Sequence, residues 1–543
     1  MLVTMRDSLR AFRQVFSNGS LRRIQLAWAG SNVAAWAYTV AIAVYAFRED
    51  GAYAVGLIGL ARWLLAGLGA PLTGMLGDRY ARVRVMVATN VARTAFLAGM
   101  GLLVLAGSPP SLVYVVSIVG TLVGTAFRPA QAALLPQLAR TPEELTAANV
   151  TGSSIESVGI FVGPALGGIL VAATSVETTF FVTAALFAWS ALLVAGVHEP
   201  ARQVGEPAEA TNGFLRESTA GFQAIFSNRR LTLLTGLFAA QTFVDGALGV
   251  LVVVLALETL DLGASGVGFL NSVLGIGGIA GGVLAALLIA RARLGSDFAV
   301  GIVFWGLPLV AVGLWPEPWV AFVAFAMIGV ANTVVDVSGD TLLQRTVPDE
   351  VLARAFAAMD SVTLVAVALG SIAAPVLIDV AGDRATFVVV GALLPLAAVL
   401  SWRALSGMDR GAAPEVALLR NLPLFGPLPP ATIEYLAGRA LRRRVAAGTK
   451  VVEQGERGDA FYVVADGVVE VSSDGGPPRD LRSGDFFGEI ALLRSVPRTA
   501  TVVAKTDAEL LELAGEDFVE AVSGNADALR AADAVVGARL APV

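Results

Sequence analysis

Twelve apolar stretches, each about the length that spans a bilayer, follow one another between positions 24 and 405, and no other feature limits the fold so tightly. They run roughly 24–47, 54–77, 85–106, 112–136, 150–173, 178–197, 231–257, 266–290, 297–314, 318–342, 357–380 and 385–405. A hydrocarbon layer of ~30 Å asks for about 20 apolar residues per helix. Backbone polar groups inside it must pair within the segment, so each stretch is expected to be a transmembrane helix. Of 543 residues, 56% are hydrophobic and 15% charged, more apolar sequence than a water-soluble fold of this length carries.

The arginines are placed unevenly between the stretches. Arg6, Arg10, Arg13, Arg22 and Arg23 precede the first, Arg79, Arg82 and Arg84 follow the second, and Arg291 and Arg293 follow the eighth. The opposite side has Arg48 and Arg384. The positive-inside rule then puts both termini in the cytoplasm. Lysine occurs only at Lys450 and Lys505, a bias that suggests a GC-rich bacterial genome, and the expected location is the plasma (inner) membrane. The chain has no cysteine, which excludes disulfides and thiolate metal sites, and no metal is expected. A net charge of −6 gives no reason to expect a nucleic-acid partner. No Walker-type phosphate loop is present, so neither ATP-driven transport nor an enzyme activity is expected.

The two halves of the apolar region repeat. Phe16-Ser17-Asn18 returns as Phe226-Ser227-Asn228, Gly74-Met75-Leu76 as Gly282-Val283-Leu284, and Pro142-Glu143-Glu144 as Pro348-Asp349-Glu350. Two such six-helix halves joined by a polar loop are the mark of a transporter with parallel repeats. Residues 74–82, GMLGDRYAR, fit the loop motif after the second helix of the major facilitator superfamily, which residues 15–405 resemble. The resemblance implies that Asp78 meets a neighbouring helix N-terminus and that the motif's arginines, Arg79 and Arg82, act at a cytoplasmic gate. In the second-half copy Ala286 stands where Asp78 stands. Gly159, Gly163, Pro164, Gly167 and Gly168 resemble the antiporter motif of drug exporters in the same superfamily, or serve as plain packing glycines.

Ionisable residues within the stretches are costly and so are functional candidates. By position, Arg62 lies toward the outer face and Asp245 near the middle. Arg93, Arg128, Glu156, Asp336, Asp340 and Asp360 lie in the cytoplasmic half. The inner group reads either as an ion-pair network at helix ends or as a gate. Asp245 is the candidate proton carrier, since burial favours a carboxylate's neutral form. Gln241, Asn32, Ser31 and Trp36 are candidate cavity residues.

A second signal follows the apolar region. Residues 484–504 read GDFFGEIALLRSVPRTATVVA. Arg498 offers a planar cation to a phosphodiester. Gly488 lets the backbone approach a ligand, and Glu489, Ile490 and Ala491 open a short helix. Short alternating runs such as Phe461–Val464, with Ser473-Asp474-Gly475-Gly476 as a hairpin turn, suggest an antiparallel β-roll. Together these residues, with 419–441 as a helical lead-in, resemble the cyclic-nucleotide-binding domain of catabolite activators, kinase regulatory subunits and nucleotide-gated channels. The resemblance implies that Glu489 takes the ribose 2′-hydroxyl, Arg498 the phosphate, and small Ala500 a place beside it. Thr499 leaves cyclic GMP open beside cyclic AMP. The tail has no aromatic residue to cap the base, so that role falls to Leu529, Arg530, Val536 or Arg539.

The expected fold is thus an all-α polytopic membrane protein of twelve helices in two six-helix repeats, followed by an α+β domain with an antiparallel β-roll. The segments are 1–23 (cytoplasmic N-terminus), 24–198 and 231–405 (the halves), 199–230 (central loop), 406–416 (linker) and 417–543 (nucleotide domain). The expected function is a secondary transporter in the lipid bilayer, a proton-coupled exporter of amphipathic small molecules regulated by cyclic nucleotide. The alternatives are an importer or lipid transporter of the same fold, a receptor that uses the fold as scaffold, and a transporter whose nucleotide domain only dimerises or aids folding.

Overall fold

Helices account for almost all of the described residues as far as Met408. The computed structural model describes residues 15–199, 222–223, 225–289, 293–347, 349–408, 413–473 and 477–540, and the chain divides into two units after Ser406. All eight tryptophans, Trp28 to Trp402, fall in the first unit.

Among the described residues of that unit, eleven helices are long and apolar enough to cross a membrane. The first, α1 (Gly19–Arg79), has 61 residues, about 90 Å of helix and far more than one crossing uses. It breaks at Asp50 and at Gly51, whose φ of 71° and ψ of −163° suit a residue without Cβ. Its two arms are the first and second expected spans, so eleven helices supply twelve segments. The remaining ten spans are α2 (Arg82–Leu105), α3 (Pro110–Gly124) together with α4 (Phe127–Leu138), α5 (Pro142–Ala173), α6 (Val176–Ala195), α7 (Arg229–Val254), α8 (Gly263–Ile289), α9 (Leu294–Leu314), α10 (Pro318–Thr346), α11 (Asp349–Ala381) and α12 (Asp383–Met408). The expected fourth span is two helices, α3 and α4. Pro129 has no N–H to continue the ladder, and the join tightens to Thr125 N–H on Leu122 O and Ala126 N–H on Val123 O. A π-helical turn, Leu255–Thr259, extends α7, and Thr259 Oγ1 donates to Asp383 Oδ2 of α12 at 2.8 Å.

Lipid gives helices little apolar reason to associate, so small residues set the contacts. A Cβ added at Gly167 on α5 would lie 2.5 Å from the Ala37 carbonyl oxygen of α1. Between the halves, one at Gly168 would lie 2.9 Å from Gly268 Cα on α8, and one at Gly56 on α1 would lie 2.5 Å from the Ser371 carbonyl oxygen of α11. The motif glycines of α5 are therefore at least packing residues.

The second unit begins with α13 (Ala413–Arg420) and α14 (Pro430–Arg439). Eight strands follow: β1 (Leu441–Val445), β2 (Lys450–Val452), β3 (Ala460–Asp466), β4 (Val468–Ser472), β5 (Arg479–Arg482), β6 (Phe486–Phe487), β7 (Thr501–Ala504) and β8 (Ala508–Ala514). A short helix α15 (Glu489–Arg494) sits between β6 and β7, and α16 (Gly515–Ser523) and α17 (Ala526–Leu540) close the unit. The strands form two four-stranded antiparallel sheets, ordered β1-β8-β3-β6 and β2-β7-β4-β5. Val452, Val464, Val469, Phe487 and Leu510 belong to one core. The helical lead-in inserts Leu419, Leu424, Phe425 and Leu436 into the other, where Phe461 stacks on Phe518 at 4.4 Å between centroids. Such an aromatic pair adds about 0.5–1.5 kcal/mol beyond its buried area. β4 and β5 pair from Val468↔Arg482 to Val471↔Arg479, and Asp474–Gly476 of the expected turn lie outside the described residues.

Candidate functional site

The residues singled out between β6 and β7 come together in the second unit. Gly488 has φ 96° and precedes α15, and a Cβ there would meet Arg498 Nη1 at 2.6 Å and the Ala460 carbonyl oxygen at 2.9 Å. Both its dihedral and its surroundings thus favour glycine. Arg498 is only 6% exposed. Its Nη2 donates to the Ala460 carbonyl at 2.7 Å and its Nη1 to the Gly488 carbonyl at 3.2 Å, and its guanidinium lies 5.9 Å from the Tyr462 ring centre. No ion pair to Arg498 forms among the described residues. Burial lowers its pKa from the usual arginine range, opposed by nearby Tyr462, Asp459, Glu489 and Glu456.

Glu489 is 1% exposed. Its Oε1 accepts from Arg539 Nη1 at 2.8 Å, while its Oε2 is buried with no hydrogen-bond donor. Arg539, on α17, also donates to the Phe486 carbonyl at 3.0 Å and lies 4.4 Å from the centre of that ring. Of the four residues expected to stand in for a base cap, Val536 is core and Arg530 pairs with Asp527, while Leu529 is partly exposed. Arg539 is the one that contacts Glu489. Ala491 is buried, Ile490 and Ala500 are half-buried, and Thr499 is exposed.

In the first unit the candidate charges do not form one network. Arg128 and Glu156 pair through two bonds, 2.7 and 3.0 Å, with the arginine side chain 68% exposed. Asn32 Nδ2 reaches the Glu156 carbonyl at 3.4 Å. Ser31 is buried against Ser190 (2.8 Å) and Asn90 (3.3 Å), so it packs helices together instead of lining a cavity. Gln241 Nε2 and Trp305 Nε1 both donate to Asn332 Oδ1 at 3.0 Å, and Asn332 Nδ2 donates to Asp336 Oδ2 at 2.9 Å. Asn332 and Trp305 escaped sequence reasoning. An asparagine inside an apolar run was the available signal.

Asp245 is exposed on α7, and its side chain makes no hydrogen bond or ion pair among the described residues. The Asp340 and Asp360 side chains likewise make none. The N–H groups of Arg82 and Val83 donate to the carboxylate of Glu199, at 3.0 and 3.1 Å. The side chains of Asp78, Arg79 and Ala286, and all of Arg291, lie outside the described residues.

Arg93 lines the same pocket as Arg62, a pairing that sorting the charges by depth does not anticipate. Arg62 lies about 16 Å along the helix from the break at Gly51, and Arg93 about 18 Å from the end of α2 at Leu105, so antiparallel neighbours bring them level.

Comparison with known proteins gives both units a family. Residues 27–299 and 298–449 match the profile of the Major Facilitator Superfamily, and residues 442–525 that of the cyclic nucleotide-binding domain. An uncharacterized MFS-type transporter of Bacillus subtilis (strain 168), YfiS, is 29% identical over 60% of this chain and 78% of its own. A cAMP-dependent protein kinase regulatory subunit of Aspergillus fumigatus is 37% identical over 22% of this chain. The chain spans 29% of the length of that subunit. The nucleoside transporter NupG has the same fold as the first unit, with a TM-score of 0.61 at 12% identity over 71% of this chain and 98% of that one.

Proposed function

The chain belongs to the Major Facilitator Superfamily, and on that premise we propose a secondary transporter whose activity is set by a cyclic nucleotide bound to its C-terminal domain. The transport half exports amphipathic small molecules in exchange for protons across a bacterial plasma membrane, with both termini cytoplasmic. The arginine bias supports that orientation. Asp245 is assigned the coupling proton, because it is an exposed carboxylate on α7 with no protein partner among the described residues. Arg128 and Glu156, with Asp336, Asp340 and Asp360, are assigned to a gate that breaks and reforms.

One observation carries the regulatory half: Glu489 Oε2 is buried without a donor among the described residues. Leaving such a group unmatched costs about 1–3 kcal/mol, more when it is charged. A ribose hydroxyl supplies the missing donor. The nucleotide phosphate meets Arg498, whose guanidinium is held by carbonyls and forms no ion pair among the described residues. Gly488 leaves room for that approach. These residues fit a cyclic nucleotide, either cyclic AMP or cyclic GMP.

Calorimetry on the full chain tests this. Cyclic AMP or cyclic GMP should bind, and Arg498→Ala should weaken binding at least tenfold, since a charge-assisted hydrogen bond is worth about 1.5–3 kcal/mol. Arg498→Lys keeps a cation but loses the fork, and should fall between the two. Equal affinity in all three proteins refutes the assignment.

A further inference from the structure

The first unit holds a pocket of about 120 Å³ formed by its N-terminal half alone, between α1, α2, α3 and α6. Two guanidinium groups line it. Arg62 donates through Nε to Thr121 Oγ1 at 3.0 Å and lies 5.2 Å from the Tyr38 ring centre. Arg93 lies 4.9 Å from the Phe187 ring centre and makes no hydrogen bond among the described residues. Among the described residues no aspartate or glutamate lines the pocket.

Two cations at this depth in a membrane repel one another and have no counter-charge in the pocket among the described residues, a costly arrangement that aromatic faces offset only in part. The remaining wall is of two kinds. Tyr38 and Ser117 share a 2.6 Å hydroxyl contact, which leaves one hydroxyl hydrogen of the pair as a further donor, while Thr121 Oγ1 donates to the Ser117 carbonyl at 3.0 Å. Phe96, Leu97 and Met100 are apolar. A planar guanidinium fork matches a carboxylate or sulfonate, and the apolar wall matches a ring or short chain attached to it. A cation would be repelled, and a neutral amphipath would leave both charges unmatched.

We propose that this pocket binds a small organic acid, its anionic group between Arg62 and Arg93 and its apolar body against Phe96, Leu97 and Met100. The inference rests on the transport reading and narrows its amphipathic substrate to an anionic one.

Benzoate and benzamide share a ring and differ in charge, which makes them suitable probes. The full chain in phosphatidylcholine nanodiscs is titrated with each by calorimetry. Benzoate should bind at least tenfold tighter than benzamide. Arg62→Gln and Arg93→Gln should each weaken benzoate about tenfold or more with little change for benzamide, and Arg62→Lys should recover part of the loss. Equal affinities of the two probes, or folded Gln variants that bind benzoate normally, overturn the proposal. Should the variants fail to fold, the comparison of the probes on the unaltered chain still decides. Loss of benzoate binding when phosphatidylglycerol is added to the discs assigns the pocket to a lipid headgroup and also overturns it. No gradient is applied, so failure here sinks the anion site alone. The transport reading falls only if proteoliposomes of the same protein show no proton-driven flux of amphipathic compounds.

Discussion

Two carboxylates, Glu489 and Asp245, set the terms at the scale of single residues. Glu489 is buried with one oxygen held by Arg539 and the other unmatched. Asp245 is exposed on α7 and holds no protein partner among the described residues. The first is suited to a fixed donor from a ligand, the second to a proton that comes and goes. Asp245→Asn should preserve the fold and abolish proton-driven transport, because an amide does not take up the proton. Proteoliposome flux at several pH values checks this, and a normal rate with unchanged pH dependence removes Asp245 from the coupling role. Gly488, Glu489 and Arg498 could be read from sequence because their chemistry is local: eleven residues contain a turn glycine, a carboxylate and a guanidinium. Arg539 stood among four candidates, but its contact with Glu489 spans 50 positions and depends on where α17 packs.

Among the elements, the number of spans was legible and their joints were not. Bilayer thickness imposes a length on every apolar run, so the runs announce themselves. The break in α1 falls in the gap between the expected spans 24–47 and 54–77, but its tightness was not legible, because Arg48-Glu49-Asp50-Gly51 reads as an ordinary polar loop, whereas the helix resumes after two non-helical residues. Sorting charges by depth did not pair Arg93 with Arg62 for a related reason: depth counted along one helix does not say which side chains on its neighbours lie level with it. Asn332 is the joint between α7, α9 and α10, accepting from Gln241 and Trp305 on one oxygen. Asn332→Leu leaves both donors without their acceptor, and Trp305 is buried. At about 1–3 kcal/mol for an unsatisfied buried group, the variant should lose at least about 2 kcal/mol of stability. Its unfolding in denaturant, compared with the unaltered protein, measures that loss.

For the whole molecule, the question is whether the nucleotide domain regulates the transporter or merely accompanies it. A ligand moves a conformational equilibrium only through different affinities for its states. Coupling of about 1–3 kcal/mol corresponds to roughly 5–150-fold. Cyclic nucleotide should therefore change the transport rate or the inward-open population at least about fivefold, and a state-selective substrate should change nucleotide affinity by the factor that nucleotide changes its own binding. Measuring each affinity with and without the other ligand tests this, and if neither moves, the C-terminal domain is a passenger. The tryptophans offer a direct view of that exchange. All eight belong to the first unit and none to the second, so the indole emission of the native chain comes from the transporter alone. A spectral shift on adding cyclic nucleotide, absent in Arg498→Ala, would record a message crossing between the units without any attached dye.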